Sequence, residues 1–292
     1  MSTSQDLTSL DAGSLFRVDG MVALITGGGT GIGLMLAKAL AVNGAAKVYI
    51  AGRRMEVLEK AAAAIGPNVI PVQCDVTSKE DLQQVVSLIE TEVGYLNVLA
   101  CNSGITGPQV KPLDPNTTVE EWSSSHFAVD FAEYTKTFAV NTASVWFTAM
   151  ACLPLLDKGN KKGNLQQTSQ VIVTTSIASF NRKAPGGWAY GQSKAGATLA
   201  MKQLAVALPQ WNIRANCICP GLFPSEMTTP LLDAHGGSAG VLPSEAVPLQ
   251  RFGKEKEMGG TMLYLASQAG GYCNGNIVVI DGGRLGGFPS TY

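Results

Sequence analysis

Charge is scarce in this chain, and the two signs are nearly balanced. Only 15% of the 292 residues are charged, and the formal net charge is -1. A nucleic-acid binder needs a basic field and a peripheral membrane protein needs a polybasic segment, and the sequence has neither. Hydrophobic residues make up 46% of the chain, which argues against disorder. We therefore expect a folded protein that acts on a small molecule, with no nucleic-acid or membrane partner.

Targeting, membrane and metal signals are also lacking. Residues 1–19 are polar, without the apolar core of a signal peptide, and no run of about 18 apolar residues predicts a transmembrane helix. The six cysteines match no zinc motif, and we expect buried, reduced thiols and no metal site. Cys217 and Cys219 would point to one face of a strand. Reduced thiols predict a cytoplasmic protein.

Strand-like and helix-like segments alternate from Val22 onward. Helical spacing of apolar residues predicts helices near 32–42, 56–65, 138–156, 190–208 and 254–267, and a capping box at Thr77 opens one more. The chain thus predicts an α/β fold, a Rossmann-type doubly wound, seven-stranded parallel sheet with helices on both faces. The predicted strands are Val22–Thr26, Lys47–Ala51, Val69–Cys74, Asn97–Cys101, Val171–Thr175, Ile213–Cys219 and Ile277–Ile280.

No composition break marks a second domain, so we expect one domain over residues 1–292 with an N-terminal extension at 1–19. Residues 106–116 are rich in Pro and Gly, and the polar stretch 157–169 has the composition of a surface loop. Pro and Gly are scattered among apolar residues over 222–250, which predicts a mobile lid over a substrate pocket. Its apolar side chains favour a fairly large, apolar substrate.

A glycine-rich turn, Thr26-Gly-Gly-Gly-Thr-Gly-Ile-Gly33, separates the first strand from the first helix. Glycines let backbone amides approach a pyrophosphate, and the helix N-terminus adds partial positive charge. Glycine also serves ordinary tight turns, but the strand–turn–helix context favours dinucleotide binding. The candidate residues are Gly27, Gly29, Thr30, Gly31, Ile32 and Gly33.

The end of the second strand carries Arg53 and Arg54 and no acid. An NAD site usually has an acid about 20 residues beyond the glycines, where it accepts from the ribose 2′-OH. A guanidinium instead matches a 2′-phosphate in geometry and charge. The alternative is that both arginines are solvated residues at a helix start. Because that alternative leaves the missing acid unexplained, we predict NADP as the cofactor.

Tyr190 and Lys194 are four residues apart and share a helix face, and Ser176 directly follows the fifth strand. A phenol has a pKa near 10, and a neighbouring ammonium is expected to lower it. Tyr190 would then exchange a proton with a substrate oxygen that Ser176 hydrogen-bonds. Taken alone, this spacing is more often an ordinary helix pair, but the glycine turn and the preceding strand favour catalysis.

Together these motifs resemble the short-chain dehydrogenase/reductase family over nearly all of Gly20 to Gly283. Within the family, the chain resembles the 3-oxoacyl-(acyl carrier protein) reductases or a member from secondary metabolism. The glycine turn and the Ser176, Tyr190 and Lys194 set match the family's motifs. The further matching stretches are Asp75-Val76, Cys101-Asn102-Ser103-Gly104, Asn141, Pro220-Gly221 and Asp281-Gly282-Gly283.

The resemblance implies roles for these residues. Lys194 would bind the nicotinamide ribose as well as tune Tyr190, and Asn141 would hold a water that links Lys194 to solvent. Phe223, through its backbone, and Ser225 would meet the nicotinamide carboxamide. The other implied cofactor residues are Asp75, Val76, Asn102, Ser103, Gly104, Pro220 and Gly221. Members usually form homodimers or homotetramers.

Some positions depart from the family pattern. Ser176 lies 14 residues before Tyr190, one more than is usual, and the loop between them would absorb the extra residue. Ser179, at a spacing of 11, is an alternative catalytic serine. Trp188 either packs within its loop or forms part of the wall of the substrate pocket. The segment 107–134 is longer than in compact members.

The predicted function is therefore NADP-dependent reduction of a ketone, or oxidation of a secondary alcohol. A 3-oxoacyl thioester, a polyketide or another secondary metabolite would fit as substrate. Two alternatives stay open, a cofactor-binding sensor or scaffold and a non-redox enzyme on the same fold. The complete Ser176, Tyr190 and Lys194 set favours the oxidoreductase.

Overall fold

A computed structural model describes residues 10–110, 113–235, 237 and 240–292. Seven parallel strands form one sheet in the order β3-β2-β1-β4-β5-β6-β7. The predicted fold class is confirmed, and each predicted strand lies within about one residue of an observed one. The strands are β1 Val22–Thr26, β2 Lys47–Gly52, β3 Val69–Gln73, β4 Val98–Cys101, β5 Gln170–Thr174, β6 Arg214–Pro220 and β7 Ile277–Ile280.

Helices follow the strands and cover both faces of the sheet. The helices are α1 Ala12–Phe16, α2 Gly31–Val42, α3 Met55–Ile65, α4 Lys79–Glu92, α5 Val119–Phe127, α6 Phe131–Phe138, α7 Ser144–Lys162, α8 Trp188–Ala207, α9 Thr229–Ala234 and α10 Glu255–Ala266. A π-helical turn, Ala139–Ala143, joins α6 to α7.

The core has two layers because successive strand residues point to opposite faces. Val22 and Leu24 of β1 pack with residues of α4, α7 and α8, whereas Ala23 and Ile25 pack with residues of α2, α3 and α10. All four side chains are buried. Burial on both faces explains why the strands are apolar throughout rather than alternating.

Two local predictions are wrong. Ser78, and not Thr77, caps α4, since the Ser78 hydroxyl accepts from the Asp81 amide at 3.0 Å. Thr77 instead donates to the Asp75 carboxylate at 2.7 Å, which holds it in the turn before the helix.

The stretch 157–169 is not all loop, because α7 continues to Lys162. Its last turns are polar and carry an Asp157–Lys161 ion pair, and Gly163, at φ 64°, ends the helix. A solvated last helical turn has the same polar composition as a loop, so the sequence pattern did not reveal this end of α7.

The continuous helical stretch Phe131–Lys162 is long and apolar enough to cross a membrane by length and composition. Its buried side chains, however, belong to the core layer that α4 and α8 share: Val145, Ala149, Cys152, Leu155 and Leu156. In this fold it is a core helix.

Residues 222–250 contain α9 and a 3-10 turn, Glu226–Thr228, so the predicted lid is partly helical in its described part. Its mobility stays a prediction. The strand order reverses between β1 and β4, and ligands of open α/β sheets bind at the carboxyl ends of the strands at such a point.

Candidate active site

A cleft of about 1460 Å³ opens at the carboxyl ends of the strands. All the predicted site residues line it except Gly33 and Asn141. The cleft exceeds the ≈ 300–1,000 Å³ of ordinary small-ligand pockets, which leaves room for a dinucleotide and a substrate together.

The glycine turn lies at one end of the cleft and has the close packing that a phosphate cradle needs. A Cβ on Gly33 would lie 2.1 Å from the Gly27 carbonyl oxygen, so only glycine fits there. Gly27 and Gly31 have φ angles of 66° and 52°, which side chains disfavour. The Thr30 side chain makes no capping hydrogen bond to α2, so the first amides of this helix are left for a ligand. The turn therefore fits a pyrophosphate.

The end of β2 supplies the cationic part of the cleft. Arg53 is exposed, and Arg54 donates to both carboxylate oxygens of Glu226 at 2.9 and 3.0 Å. The Asp75 carboxylate accepts from the hydroxyl and amide of Thr77, and these bonds hold the pKa of Asp75 below its usual value, with a smaller contribution from Arg53. Val76 beside it is buried. These groups could hold the adenosine end of a dinucleotide.

Asn102 ties the end of β4 to the glycine turn. Its side-chain amide donates to the carbonyl oxygens of Thr26 and Gly27 at 3.1 and 3.3 Å. The Thr26 hydroxyl in turn accepts from the amides of Asn102 and Ser103 at 3.0 and 3.1 Å. Gly104 follows, where a Cβ would lie 3.2 Å from the Lys194 ammonium. This network sets the floor of the cleft between the glycine turn and Lys194.

Ser176, Tyr190 and Lys194 meet at the centre of the cleft. The Tyr190 hydroxyl is in hydrogen-bonding contact with Ser176, whose hydroxyl also caps a short turn by accepting from the Ala178 amide at 3.1 Å. The Lys194 Nζ donates to the Thr174 carbonyl at 2.9 Å and lies 6.0 Å from the centroid of the Tyr190 ring. The lysine side chain is 3% exposed.

Ser176, and not the alternative Ser179, contacts Tyr190. The Ser179 hydroxyl accepts from the Thr198 hydroxyl at 3.1 Å and does not line the cleft. The loop before α8 contains Ala184 in a left-handed conformation at φ 48°. This irregular backbone accommodates the extra residue between the serine and the tyrosine.

The direction of the Tyr190 pKa differs from the prediction. Burial raises the pKa of Tyr190 above 10.0, and the Ser176 hydrogen bond opposes this shift only in part. Burial also lowers the pKa of Lys194 to about 8. The lysine ammonium is directed to the Thr174 carbonyl, so it is not the main influence on the phenol. Tyr190 is therefore a weaker acid than a solvated phenol.

Asn141 lies in the π-helical turn and is fully buried. Its side chain accepts from the Ile105 amide at 2.8 Å and donates to the Ile105 carbonyl and the Ser193 hydroxyl, both at 2.9 Å. Ser193 in turn donates to the Tyr190 carbonyl at 2.8 Å. The asparagine therefore positions the 102–105 segment against α8. Its water-holding role stays a prediction.

The segment after β6 closes one side of the cleft and reaches the glycine turn. Gly221 packs closely against Asp281, where a Cβ would lie 2.7 Å from the Asp281 Cα. Phe223 is 2% exposed, and the Ser225 side chain approaches Gly31. Pro220 also lines the cleft. Ser225 thus contacts the glycine turn itself, and its predicted contact with a carboxamide stays a prediction.

Trp188 and Arg251 have packing roles. Trp188 does not line the cleft, and its ring lies 6.2 Å from Trp122 and 5.9 Å from His126. It is therefore loop packing against α5. Arg251 donates to the Phe252 carbonyl and to the Glu257 carboxylate, and it anchors the loop before α10.

Two cationic lining residues of the cleft lie outside the predicted site, Lys136 on α6 and Arg284 after β7. Neither belongs to a motif. The only available signal was that Arg284 directly follows the Asp281-Gly282-Gly283 ending.

The family model described as enoyl-(acyl carrier protein) reductase matches residues 27–284. The chain belongs to the short-chain dehydrogenase/reductase family. It is 47% identical to the short-chain dehydrogenase/reductase PhomF of Diaporthe leptostromiformis, over 97% of this chain and 98% of the relative. It is 44% identical to VdtF of Byssochlamys spectabilis, over 98% and 100% of the two chains. The solved RhlG/NADP active-site complex of Pseudomonas aeruginosa matches at a TM-score of 0.76 and 27% identity, over 93% and 98%.

Proposed function

We propose that this short-chain dehydrogenase/reductase uses NADPH to reduce a ketone of a fairly apolar substrate, such as a 3-oxoacyl compound, a polyketide or another secondary metabolite. The observation that carries the proposal is that Tyr190, in contact with Ser176 and one turn before the buried Lys194, lies in the cleft that the glycine turn also lines. The oxidoreductase family and the NADP in the related RhlG complex support it.

The preference for NADPH over NADH rests on the end of β2. Arg53 and Arg54 both line the cleft there, and this strand end has no acid that would accept from a ribose 2′-OH. The glycine turn would hold the pyrophosphate, and Lys194 the nicotinamide ribose. When bound, NADPH supplies the hydride.

The side chains then supply the proton and orient the carbonyl. Ser176 donates a hydrogen bond to the carbonyl oxygen and so fixes its position beside Tyr190. The Tyr190 hydroxyl transfers its proton to that oxygen as the carbon accepts the hydride, and the product is an alcohol. The Lys194 ammonium stabilises the phenolate that remains.

The proposal extends to the location, assembly and partners of the protein. We infer a cytoplasmic homodimer or homotetramer that binds a small molecule and neither nucleic acid nor membrane. Trp146 and Phe147 on α7 are 39% and 42% exposed, as expected of side chains that a second subunit covers. The net charge of -1 offers no attraction to polyanions.

The decisive experiment compares the purified enzyme with Tyr190→Phe on a panel of ketones, following NADPH consumption and NADPH binding by fluorescence. We expect turnover to fall by at least about 10²-fold, with NADPH affinity largely retained. Arg53→Ala should weaken NADPH binding by about tenfold or more and leave NADH binding nearly unchanged.

Ser179→Ala is the matched control and should keep its activity. Full activity in Tyr190→Phe would overturn the mechanism. Tight NADPH binding without turnover on any ketone would favour the sensor or scaffold alternative, and a bound NADP that never changes redox state would favour a non-redox enzyme.

A further inference from the structure

The substrate half of the cleft has charged side chains of one sign only. Among the described residues, the acids of the cleft are Asp75 and Glu226, and both lie with the arginines that follow β2. The remaining charged lining residues are Lys136, Lys194 and Arg284. Lys194 belongs to the catalytic set, so two cations remain without an assigned role.

These two cations differ in their partners. Lys136 is exposed and forms an ion pair with Glu133 one turn earlier on α6, at 3.2 Å. Arg284 is half-buried and forms no ion pair with any carboxylate of the described chain. A partly desolvated cation without a carboxylate is costly unless a ligand supplies the negative charge. Of the two, Arg284 is therefore the one without an ion pair, and the charge of Asp281 raises the pKa of Arg284 by less than burial lowers it.

The fold holds the Arg284 guanidinium in place. Its Nη1 donates to the Ala246 carbonyl at 2.6 Å, and its Cζ lies 5.1 Å from the centroid of the Phe288 ring. The Asp281 carboxylate is occupied by the amides of Gly283 and Leu285. The Nε and Nη2 groups of Arg284 have no hydrogen-bond partner among the described residues, and this edge of a guanidinium binds both oxygens of a carboxylate.

Asn181 adds a second donor to the same part of the cleft. Its side-chain oxygen accepts from the Lys183 amide at 2.9 Å, while its side-chain nitrogen has no partner within the described chain. Asn181 pairs with Ser290 in an antiparallel bridge, and Leu285 packs with Ile177, the residue after Ser176. The segment that carries Arg284 is therefore fastened beside the catalytic serine.

We propose that Arg284 is a specificity-determining residue that binds a carboxylate on the ketone substrate. The inference rests on the proposed reductase function and refines its substrate class. An otherwise apolar keto acid is reduced while its carboxylate pairs with the Nε and Nη2 edge of Arg284. The apolar Leu222, Met227 and Leu231 of the cleft contact the hydrocarbon part.

The test uses unbranched keto acids of increasing chain length, from levulinate upward, each beside its methyl ester. Binding is measured by calorimetry on Tyr190→Phe saturated with NADPH, which keeps the ketone unreduced, and turnover is measured on the native enzyme. At the best chain length we expect the acid to bind at least about tenfold tighter than its ester. Arg284→Gln should abolish that preference, and Arg284→Lys should restore it in part.

Lys136→Gln is the matched control, because it removes a positive charge from the same cleft at a residue that already has a carboxylate partner. It should keep the acid preference. Equal binding of acid and ester to the native site, or an equal loss of preference in Lys136→Gln and Arg284→Gln, would overturn the carboxylate site. Ester turnover without acid preference would refute this proposal alone. Acid preference in binding without turnover of any ketone would refute the reductase function and leave the carboxylate site standing.

Discussion

The Arg54 guanidinium and the Glu226 carboxylate are joined by two hydrogen bonds of 2.9 and 3.0 Å. Arg54 follows β2, and Glu226 lies in the segment predicted to be the lid. The pair therefore connects the proposed 2′-phosphate site to that segment. Both side chains are more than half exposed, at 54% and 61%, so the pair itself contributes little stability.

Glu226→Gln should strengthen NADPH binding, because Arg54 is then free for the 2′-phosphate. The expected gain is small, about twofold to fivefold in Kd, because exposed pairs are worth at most about 1 kcal/mol. NADH binding should not change, and the gain should shrink at high salt. Fluorescence titration with both nucleotides measures this. Glu255→Gln, which breaks the exposed ion pair with Lys38, is the control, and an equal gain there would refute the explanation.

Ser176→Ala should change both the rate and the pH profile. The Ser176 hydrogen bond lowers the pKa of Tyr190, so its loss raises that pKa further. Ketone reduction needs the protonated tyrosine, so the fall of the reduction rate at alkaline pH should move to higher pH. Alcohol oxidation needs the phenolate, so the rise of the oxidation rate with pH should also move to higher pH. The plateau rate should fall by about 10²-fold or more, since one oxygen-binding donor is lost. A lower plateau with an unmoved profile would contradict the contact.

Lys194→Met should inactivate the enzyme and yet raise its free energy of unfolding at pH 7. Burial lowers the pKa of Lys194 from 10.5 to about 8, so the buried charge costs about 3 kcal/mol. Loss of the hydrogen bond to the Thr174 carbonyl offsets about 1 kcal/mol of that gain.

The gain in unfolding free energy of Lys194→Met should become smaller as pH rises. Between pH 8 and 10.5 the unfolded chain holds more protons at Lys194 than the folded protein does. Native stability from this group therefore rises with pH, and the advantage of Lys194→Met narrows over that window. Urea unfolding at pH 7 and near pH 10 measures it. Lys202→Met on the same helix is the control, and an equal rise there would contradict the burial argument.

Asn141→Ala should destabilise the protein by about 2–4 kcal/mol, because it removes three hydrogen bonds, two to the half-buried Ile105 backbone and one to the buried Ser193 hydroxyl. Asn141→Asp keeps the acceptor for the Ile105 amide and loses the two donated bonds. Its loss in free energy of unfolding should therefore differ from that of Asn141→Ala. Chemical unfolding with NADPH absent measures both variants. Unchanged stability in Asn141→Ala with lost activity would instead support the water-holding role.

Motifs whose meaning is local could be interpreted from the sequence. The strand–turn–helix around the glycine turn, the alternation of apolar strands with helices and the four-residue spacing of Tyr190 and Lys194 all depend on neighbouring residues. Backbone geometry over a few residues is enough to predict them. For that reason the fold class and the family followed from the sequence, and the observed strands lie close to the predicted ones.

Other features depended on which distant segments meet. The spacing from Tyr190 favoured Ser176 but left Ser179 as an alternative, and the packing of α8 against the turn after β5 decided between them. The pKa of Tyr190 depends on the burial of its side chain, which outweighs the opposing hydrogen bond of Ser176. Arg284 belongs to no motif and enters the cleft only because the segment after β7 packs beside Ile177. The sequence thus identified the chemical groups of the site, and long-range packing decided their contacts, their burial and hence their protonation.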